Sequence, residues 1–183
     1  CPFNANFDQQ DTDHDGTGNA CDVDTSGKLD PGFNPFIGAG GTVKTTGVQS
    51  NGKILIGGYF TAYNGTTQNY IARIKSDSAL DTTFTTGTGA NGAVLALAVQ
   101  PDDKLLIGGS FATFNGTTMN RLARLNADGS LDTAFNVGTG PAATVQALAL
   151  QTNGKVLVGG DFGTFNGKAR NKIARLNGDG SVD

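Results

Sequence analysis

The first thirty residues carry oxygen-bearing side chains at spacings that suit a metal ion. Residues 1–30 contain seven Asp against one Lys, whereas the rest of the chain contains nine Asp against twelve Lys and Arg. Carboxylate, amide and backbone oxygens without a Cys or His cluster favour Ca²⁺ over transition metals. Close carboxylates also repel one another unless a cation compensates their charge. The local acidity therefore predicts a calcium-binding segment.

Two overlapping ligand frames fit this segment. The first has the oxygen spacing of a twelve-residue EF-hand loop, with a glycine for the sharp bend and a last carboxylate that closes the shell. Its residues are Asp11, Asp13, Asp15, Gly16, Thr17 (through its carbonyl) and Asp22. The second frame uses Asn4, Asn6, Asp8, the carbonyl of Gln10 and Asp15. Both frames share Asp15, and no flanking amphipathic helix is predicted on either side.

Residues 1–22 resemble a thrombospondin type 3 repeat, because CP, DQ, DxD, DG, G and ACD occur in that family's order. The resemblance implies an extracellular segment wrapped around structural Ca²⁺. The ligand roles that it carries over fall on Asn4, Asn6, Asp8, Asp11, Asp13, Asp15 and Asp22. The chain departs from the family at Phe7, His14 and Asn19, where Pro, Gly and Asp are usual. A solvated acidic linker is the alternative interpretation.

The two cysteines, Cys1 and Cys21, bracket both ligand frames. In an oxidising compartment, a disulfide between them would close a short loop and pre-order the ligands. The type 3 family also pairs cysteines between successive repeats, so bonding to a preceding repeat or to another chain stays open. Because the chain begins inside this motif, we expect it to be a piece of a longer exported protein.

The remainder of the chain is built from one unit that occurs three times with a period of 51 residues. The motif GKILIGGYF at 52–60 returns as DKLLIGGSF at 103–111 and as GKVLVGGDF at 154–162. The repeats therefore span residues 31–81, 82–132 and 133–183. The chain has 28 Gly and no Trp, and all 16 acidic residues are Asp, which favours turns over helices.

Turn signals divide each unit into four short predicted strands. In the middle unit these are Val94 to Gln100, Lys104 to Phe111, Arg121 to Asn126 and Ser130 to Phe135. Four antiparallel strands in about fifty residues are typical of a propeller blade. The sequence therefore predicts an all-β fold, in which an irregular calcium-binding segment at 1–30 precedes three four-stranded propeller-like blades at 31–183.

The units also resemble the delta-sixty repeats, through stretches such as LNADGSLDTAFNVGTG and VQALALQTNGKVLVGGDFGTFNG. The resemblance covers residues 31–183 and implies a β-propeller from a large secreted or surface-attached microbial protein. Three blades are too few to close a ring, for which about four to eight are usual. We therefore expect further repeats in the same polypeptide or an association of copies, in which a neighbour completes the last hairpin by β-augmentation.

Residues that could carry other chemistry are sparse. The single histidine, His14, lies in the calcium segment, and no Ser-His-Asp, Cys-His or zinc constellation can be assembled. Arg73, Arg124 and Arg175 recur in every unit and are expected to form structural ion pairs with the repeated Asp. Asp161 and the cluster Lys168, Arg170 and Lys172 differ from the equivalent residues of the other repeats and are therefore site candidates. Asn64 and Asn115 fit glycosylation sequons, but Asn-Gly is equally a tight turn.

We expect a non-enzymatic, extracellular structural or adhesive module of a larger or self-assembling surface protein, for which a fibrous assembly is one possible form. A ligand- or carbohydrate-binding propeller is the alternative, and a degenerate enzyme is a third hypothesis. The pI of about 4.9 argues against nucleic-acid binding. No apolar run reaches the roughly 20 residues of a membrane span. The expected partners are copies of the chain, further repeats, or a surface glycan or protein.

Overall fold

The computed structural model describes residues 32–183. The chain divides into two compact units, Cys1–Asn34 and Pro35–Asp183. The predicted boundary at residues 30 and 31 lies outside the described residues, and so do the predicted site residues. These are Cys1, Asn4, Asn6, Asp8, Asp11, Asp13, Asp15, Thr17, Cys21 and Asp22.

The described residues form strands and turns without a helix, in three equivalent groups of five strands. The first blade contains β1 Val43–Val48, β2 Ile54–Gly58, β3 Ala62–Tyr63, β4 Thr66–Thr67 and β5 Ile71–Ile74. The second contains β6 Val94–Val99, β7 Leu105–Gly109, β8 Thr113–Phe114, β9 Thr117–Thr118 and β10 Leu122–Leu125. The third contains β11 Val145–Leu150, β12 Val156–Gly160, β13 Thr164–Phe165, β14 Lys168–Ala169 and β15 Ile173–Leu176. The all-β prediction with three repeats is confirmed.

Each blade centres on a three-stranded antiparallel sheet, with orders β1-β2-β5, β6-β7-β10 and β11-β12-β15. The predicted fourth strand at Ser130 to Phe135 differs, because only an isolated bridge joins Leu131 to Leu125. The carboxylate of Asp132 accepts the backbone N–H of Ala134, and the N–H of Phe135 donates to the carbonyl of Asp132. This local turn takes over the backbone groups that a longer strand would pair.

The repeated Gly-Gly pair is required by a close backbone approach. The first strand of each sheet has an irregular register, between Val43 and Thr45, Val94 and Ala96, and Val145 and Ala147. A Cβ on Gly109 would lie 1.9 Å from the carbonyl oxygen of Ala93. Gly58 and Gly160 meet equivalent carbonyls at 2.0 and 2.1 Å. Only glycine therefore fits the second position of the pair.

The Asn-Gly dipeptides form the tight turns expected of them. Asn115 and Gly116 both have positive φ, 45° and 75°, and connect the two-stranded hairpin β8-β9. The same turn lies between β3 and β4 and between β13 and β14. The Asn side chain also accepts a backbone N–H from a neighbouring loop, at 3.1 Å from Thr88 to Asn115. Asn166 makes the equivalent bond without belonging to a sequon, which supports the structural interpretation of these asparagines.

The blades of the Pro35–Asp183 unit pack face to face. The trailing face is defined by four residues of the second and third strands of each sheet, which pair directly across those strands and so point to the same side. They are Leu55, Gly57, Ile71 and Arg73 in the first blade, Leu106, Gly108, Leu122 and Arg124 in the second, and Leu157, Gly159, Ile173 and Arg175 in the third.

The opposite side of each blade is its leading face. The first strand of each sheet (β1, β6 or β11), called here the innermost strand, presents two apolar residues on this face. They are Val43 and Val48 in the first blade, Val94 and Val99 in the second, and Val145 and Leu150 in the third. Trailing residues Leu55 and Ile71 share a buried cluster with Val94 of the next blade. Leu106 and Leu122 likewise share a cluster with Val145. The hydrophobic core therefore lies between successive blades.

Candidate interaction surface

A buried ion pair lies at the junction between the first and second blades. Arg73 Nε lies 2.7 Å from Asp81 Oδ2, and Lys53 Nζ lies 2.8 Å from the same oxygen. Arg73 Nη1 donates to the carbonyl of Ala127 in the second blade, and its guanidinium lies 4.7 Å from the ring centroid of Phe84. One arginine thus forms an ion pair within its own repeat and contacts the next repeat through a hydrogen bond and a cation–π contact.

The second junction repeats this arrangement. Arg124 Nε lies 2.8 Å from Asp132 Oδ2, its Nη1 donates to the carbonyl of Gly178 at 2.6 Å, and its guanidinium lies 4.7 Å from the Phe135 ring centroid. The predicted pairing of the repeated arginines with the repeated aspartates is confirmed. Their role in joining blades was not predicted, because the Ala127 and Gly178 carbonyls carry no side-chain signal in the sequence.

Burial by itself raises the pKa of Asp81, but the hydrogen bonds donated by Lys53, Thr83 and Arg73 outweigh it and hold the pKa well below its usual range. Asp132 behaves in the same way. Burial raises its pKa, but hydrogen bonds from Lys104, the Ala134 backbone and Arg124 outweigh burial, so that the pKa is lowered overall. Both carboxylates are therefore charged near neutral pH and act as fixed anchors for their arginines.

The first junction has an additional contact. Ser50 donates from its backbone N–H and its hydroxyl to the Asp103 carboxylate, at 2.8 and 2.5 Å. Asp103 has a positive φ of 62°, at the position that Gly52 and Gly154 occupy in the other repeats. The second junction has Pro101 in place of Ser50 and Gly154 in place of Asp103, so it does not form this contact. The Ser50 bonds lower the pKa of Asp103.

The third blade repeats the ion pair but leaves its trailing face open. Arg175 Nε donates to Asp183 Oδ2 at 2.6 Å, and Lys155 pairs with the same carboxylate. The Arg175 side chain is 49% exposed, compared with 5% for Arg73. Within the described residues no carbonyl or aromatic ring contacts Arg175 as Ala127 and Phe84 contact Arg73. Ile173 is 59% exposed, whereas Ile71 and Leu122 are fully buried.

The glycine of the trailing face shows the same difference, since it is covered in the first two blades and open in the third. A Cβ on Gly57 would lie 2.8 Å from Val94 Cγ1, and one on Gly108 would lie 2.5 Å from Val145 Cγ1. The valine of each following blade therefore fills the notch above this glycine. A Cβ on Gly159 would meet nothing closer than Ala147 Cβ at 3.7 Å. A cavity of about 300 Å³, lined in part by Leu157, Ile173 and Arg175, lies on this face.

Apolar side chains are also exposed in the first blade. Val43 is 39% exposed and Val48 is 61% exposed, whereas their equivalents Val94 and Val145 are fully buried. Phe36 and Ile37 are exposed nearby in sequence, and Phe36 has a positive φ of 52° where Gly87 and Gly138 stand in the other repeats. The middle blade, by contrast, exposes no large hydrophobic side chain. Within the described residues, exposed apolar surface is thus concentrated in the first and third repeats.

A separate groove of about 480 Å³ crosses the ends of the three innermost strands. Its apolar lining comes from the equivalent residues Val48, Val99 and Leu150. Gln100 and Gln151 also line it, and their buried Oε1 atoms accept no hydrogen bond from the described residues. The equivalent Gln49 Oε1 accepts from Arg73 Nη1 at 2.9 Å.

The structure brings the sequence candidate Asp161 together with Lys172 of the basic cluster, while three other aspartates serve in turns. The carboxylates of Asp77, Asp102 and Asp128 each accept a backbone N–H two residues further on, as turn residues do. Asp161 follows β12 and accepts a hydrogen bond from Gln146 Nε2 at 3.0 Å. Lys172 Nζ donates to the Asp161 carbonyl, and Arg170 donates to the Ala169 carbonyl. Arg170 alone of the basic cluster lines the cavity of the trailing face.

No helix among residues 32–183 is long and apolar enough to cross a membrane. No curated protein is significantly similar to the chain. One family described as "Domain of unknown function (DUF5122) beta-propeller" matches three segments, residues 49–84, 100–135 and 151–183. These segments begin at equivalent positions of the three repeats and together cover more than half of the chain. The chain therefore belongs to the DUF5122 β-propeller family.

Proposed function

We propose that the protein is a non-enzymatic, extracellular structural or adhesive module, in which a calcium-bound segment joins propeller-like blades within a larger or self-assembling surface protein. The observation that carries the proposal is the double use of Arg73 and Arg124. Each pairs with an aspartate of its own repeat and donates to a carbonyl of the next. These two arginines, which recur at equivalent positions of the repeats, thus join successive blades.

Ca²⁺ is the proposed cofactor. Its support is the sequence of residues 1–22, with two ligand frames that share Asp15 and a resemblance to thrombospondin type 3 repeats. Hard oxygen donors in this number suit Ca²⁺ better than Mg²⁺, which keeps several of its waters. A disulfide between Cys1 and Cys21 would pre-order the ligands, and bonding to another repeat or chain is the alternative. In this proposal Ca²⁺ stiffens a connector and is not needed for the blades to fold.

Calorimetric titration of Ca²⁺, followed by thermal unfolding with and without EDTA, tests this function. We expect Ca²⁺ binding, and we expect EDTA to make the bonds of residues 1–30 accessible to protease while the unfolding transition of the blades stays in place. Titration with Mg²⁺ controls for nonspecific attraction to the acidic segment. Absence of Ca²⁺ binding, or loss of the blades and the segment in one EDTA-induced transition, would contradict the proposal.

The alternative function is a ligand-binding propeller, for instance one that binds carbohydrate. The groove across the innermost strands favours it, because its lining combines apolar side chains with the amide side chains of Gln100 and Gln151, a mixture typical of ligand sites. A glycan array probed with the labelled protein tests this function. Retention of one sugar class by the wild type and its loss in Gln100→Met would favour the binding function over the structural one.

A further inference from the structure

We infer that Gln49, Ser50 and Asp103 clamp the first blade to the second, and that the junction between the second and third blades, which lacks this clamp, opens first. The inference goes beyond the proposed structural function, because it assigns an order to the opening of the two junctions. Both junctions lie inside the chain with a blade on either side, so their difference is a property of the described residues.

Gln49 is the buried part of the clamp. Its Nε2 donates to the carbonyls of Asp103 and Ala127 in the second blade, at 3.1 and 3.3 Å. Its Oε1 accepts from Arg73 Nη1 at 2.9 Å, so the amide also holds the arginine that reaches the Ala127 carbonyl. Both polar atoms of the Gln49 side chain are therefore engaged at the first junction.

Asp103 completes the clamp from the second blade. Its carboxylate accepts the backbone N–H and the hydroxyl of Ser50, at 2.8 and 2.5 Å, and bonds to a charged acceptor are stronger than bonds between neutral groups. Its backbone is left-handed, with a φ of 62°, where Gly52 and Gly154 stand in the other repeats. Aspartate adopts this conformation more readily than most residues, but only glycine does so without strain. Such strain persists where contacts hold the residue, and Ser50 supplies those contacts.

The second junction has the arginine contacts of the first but lacks the groups that make the clamp. Pro101 stands at the position of Ser50 and has neither a backbone N–H nor a hydroxyl. Gly154 stands at the position of Asp103 and has no carboxylate. The bonds between Ser50 and Asp103 therefore have no counterpart at this junction.

Gln100 occupies the position of Gln49 without repeating its contacts. Its Oε1 accepts no hydrogen bond from the described residues. The positions of the two carbonyls that receive the Gln49 amide are taken by Gly154 and Gly178. Glycine loses more backbone freedom on folding than any other residue, so fixing these acceptors costs more at the second junction.

The apolar packing favours the same order of opening. Leu105 and Ile107 belong to the buried cluster of the first junction. The smaller Val156 and Val158 take their positions in the cluster of the second. Hydrophobic stabilisation grows with the apolar area that is buried, so the first junction gains more from these two positions.

One side-chain contact among the described residues acts in the other direction. Arg121 donates to the carbonyl of Pro141 across the second junction at 3.2 Å. Gln49 and Ser50 together donate four bonds across the first junction. The third blade therefore separates from the second while the first two blades stay joined.

The reactivity of introduced thiols measures the opening of each junction in the full chain. Val94 and Val145 are fully buried at equivalent positions of the two junctions, so a maleimide reaches Val94→Cys or Val145→Cys only when that junction opens. Mass spectrometry of peptides separates this label from label on Cys1 and Cys21. After division by the rates in the urea-unfolded chain, we expect Val145→Cys to react at least about fivefold faster, the factor that one typical hydrogen bond contributes. Equal rates, or a faster reaction of Val94→Cys, would overturn the inference.

Asp103→Gly tests the clamp itself in the Val94→Cys chain. If Asp103 served its turn alone, glycine, which the other repeats have at this position, should leave the rate unchanged. We expect Asp103→Gly to raise the rate severalfold, and Ser50→Ala, which keeps its backbone N–H, to raise it less. Thr152→Ala, at the position of Ser50 in the third repeat, is the matched control and should have no effect. An unchanged rate in Asp103→Gly would contradict the clamp.

A graft tests whether the clamp sets the order of opening. In the Val145→Cys chain, Pro101→Ser together with Gly154→Asp supplies both partners at the second junction and should slow the reaction severalfold. Gly154→Asp alone should not slow it, because Pro101 cannot donate. Circular dichroism should show equal folding of these variants, and a graft that leaves the rate unchanged would overturn the inference. Ca²⁺ titration tests the proposed function separately, because these substitutions lie outside residues 1–30.

Discussion

Arg73 of the first blade donates from Nη1 to the carbonyl oxygen of Ala127 in the second blade, at 2.5 Å. The same arginine pairs with Asp81 and lies against the ring of Phe84, so its charge is enclosed by groups from both repeats. A buried charge is tolerated when it is paired and hydrogen-bonded. The arginine therefore stabilises the junction between the first and second blades.

We predict that Arg73→Ala destabilises the chain far more than Arg175→Ala. Removing one partner of a buried ion pair costs up to about 3–5 kcal/mol, and Lys53, which stays paired with Asp81, should offset part of that cost. Exposed pairs contribute about 0–1 kcal/mol. Arg73 is 5% exposed and Arg175 is 49% exposed. Urea denaturation of both variants at low protein concentration measures the difference, and equal losses would show that the buried junction adds no stability.

The ion pairs also predict a dependence of stability on pH. The pKa of Asp81 is lowered on folding, so its contribution is complete above the pKa of an unfolded aspartate, about 3.9. The contribution is lost as the pH falls through the lower pKa of the folded state. The melting temperature of the wild type should therefore fall steeply in acid, and that of Asp81→Asn should fall less. Parallel curves between pH 6 and pH 2.5 would contradict this assignment.

We predict opposite tolerance at two glycines that are equivalent in sequence. Gly108→Ala places a Cβ 2.5 Å from Val145 Cγ1 and should cost about 1–3 kcal/mol through overpacking. Gly159→Ala meets only open space and ordinary contacts, so it should change stability by about 0.5 kcal/mol or less. Chemical denaturation checks both values. In a double-mutant cycle, Val145→Ala should relieve part of the Gly108→Ala penalty, and strict additivity would argue against this contact.

The calcium segment allows a prediction from its shared ligand. Asp15 belongs to both frames, so Asp15→Asn should weaken Ca²⁺ binding at both sites, whereas Asp24→Asn lies outside both frames and serves as the control. Calorimetric titration should show a clear loss of affinity only for Asp15→Asn. Equal affinity in the two variants would contradict the shared-ligand arrangement. The thermal transition of the blades should be the same in both variants.

The period of 51 residues and the Asn-Gly turns are enough to predict much of the fold from the sequence alone, because apolar runs and turn residues act locally. The recurrence of Arg73, Arg124 and Arg175 with Asp81, Asp132 and Asp183 was also enough to predict the ion pairs. The fourth strand is shorter than the sequence predicts, because the turn at Asp132 uses the backbone hydrogen-bonding groups that a longer strand would pair. The turns, the apolar strands and the ion pairs all form within a single repeat, so the sequence of one repeat is enough to predict them.

Only the tertiary structure decided what lies between repeats. Gly108 and Gly159 occupy equivalent positions of their repeats, yet the space above Gly108 is filled by Val145 and the space above Gly159 is open. Arg73 is likewise distinguished from Arg175 by the carbonyl and the ring that the following blade supplies. The sequence by itself determined the blade, because each blade depends on local turns and apolar strands. The structure decided which blade faces are covered, because covering a face depends on packing between distant segments.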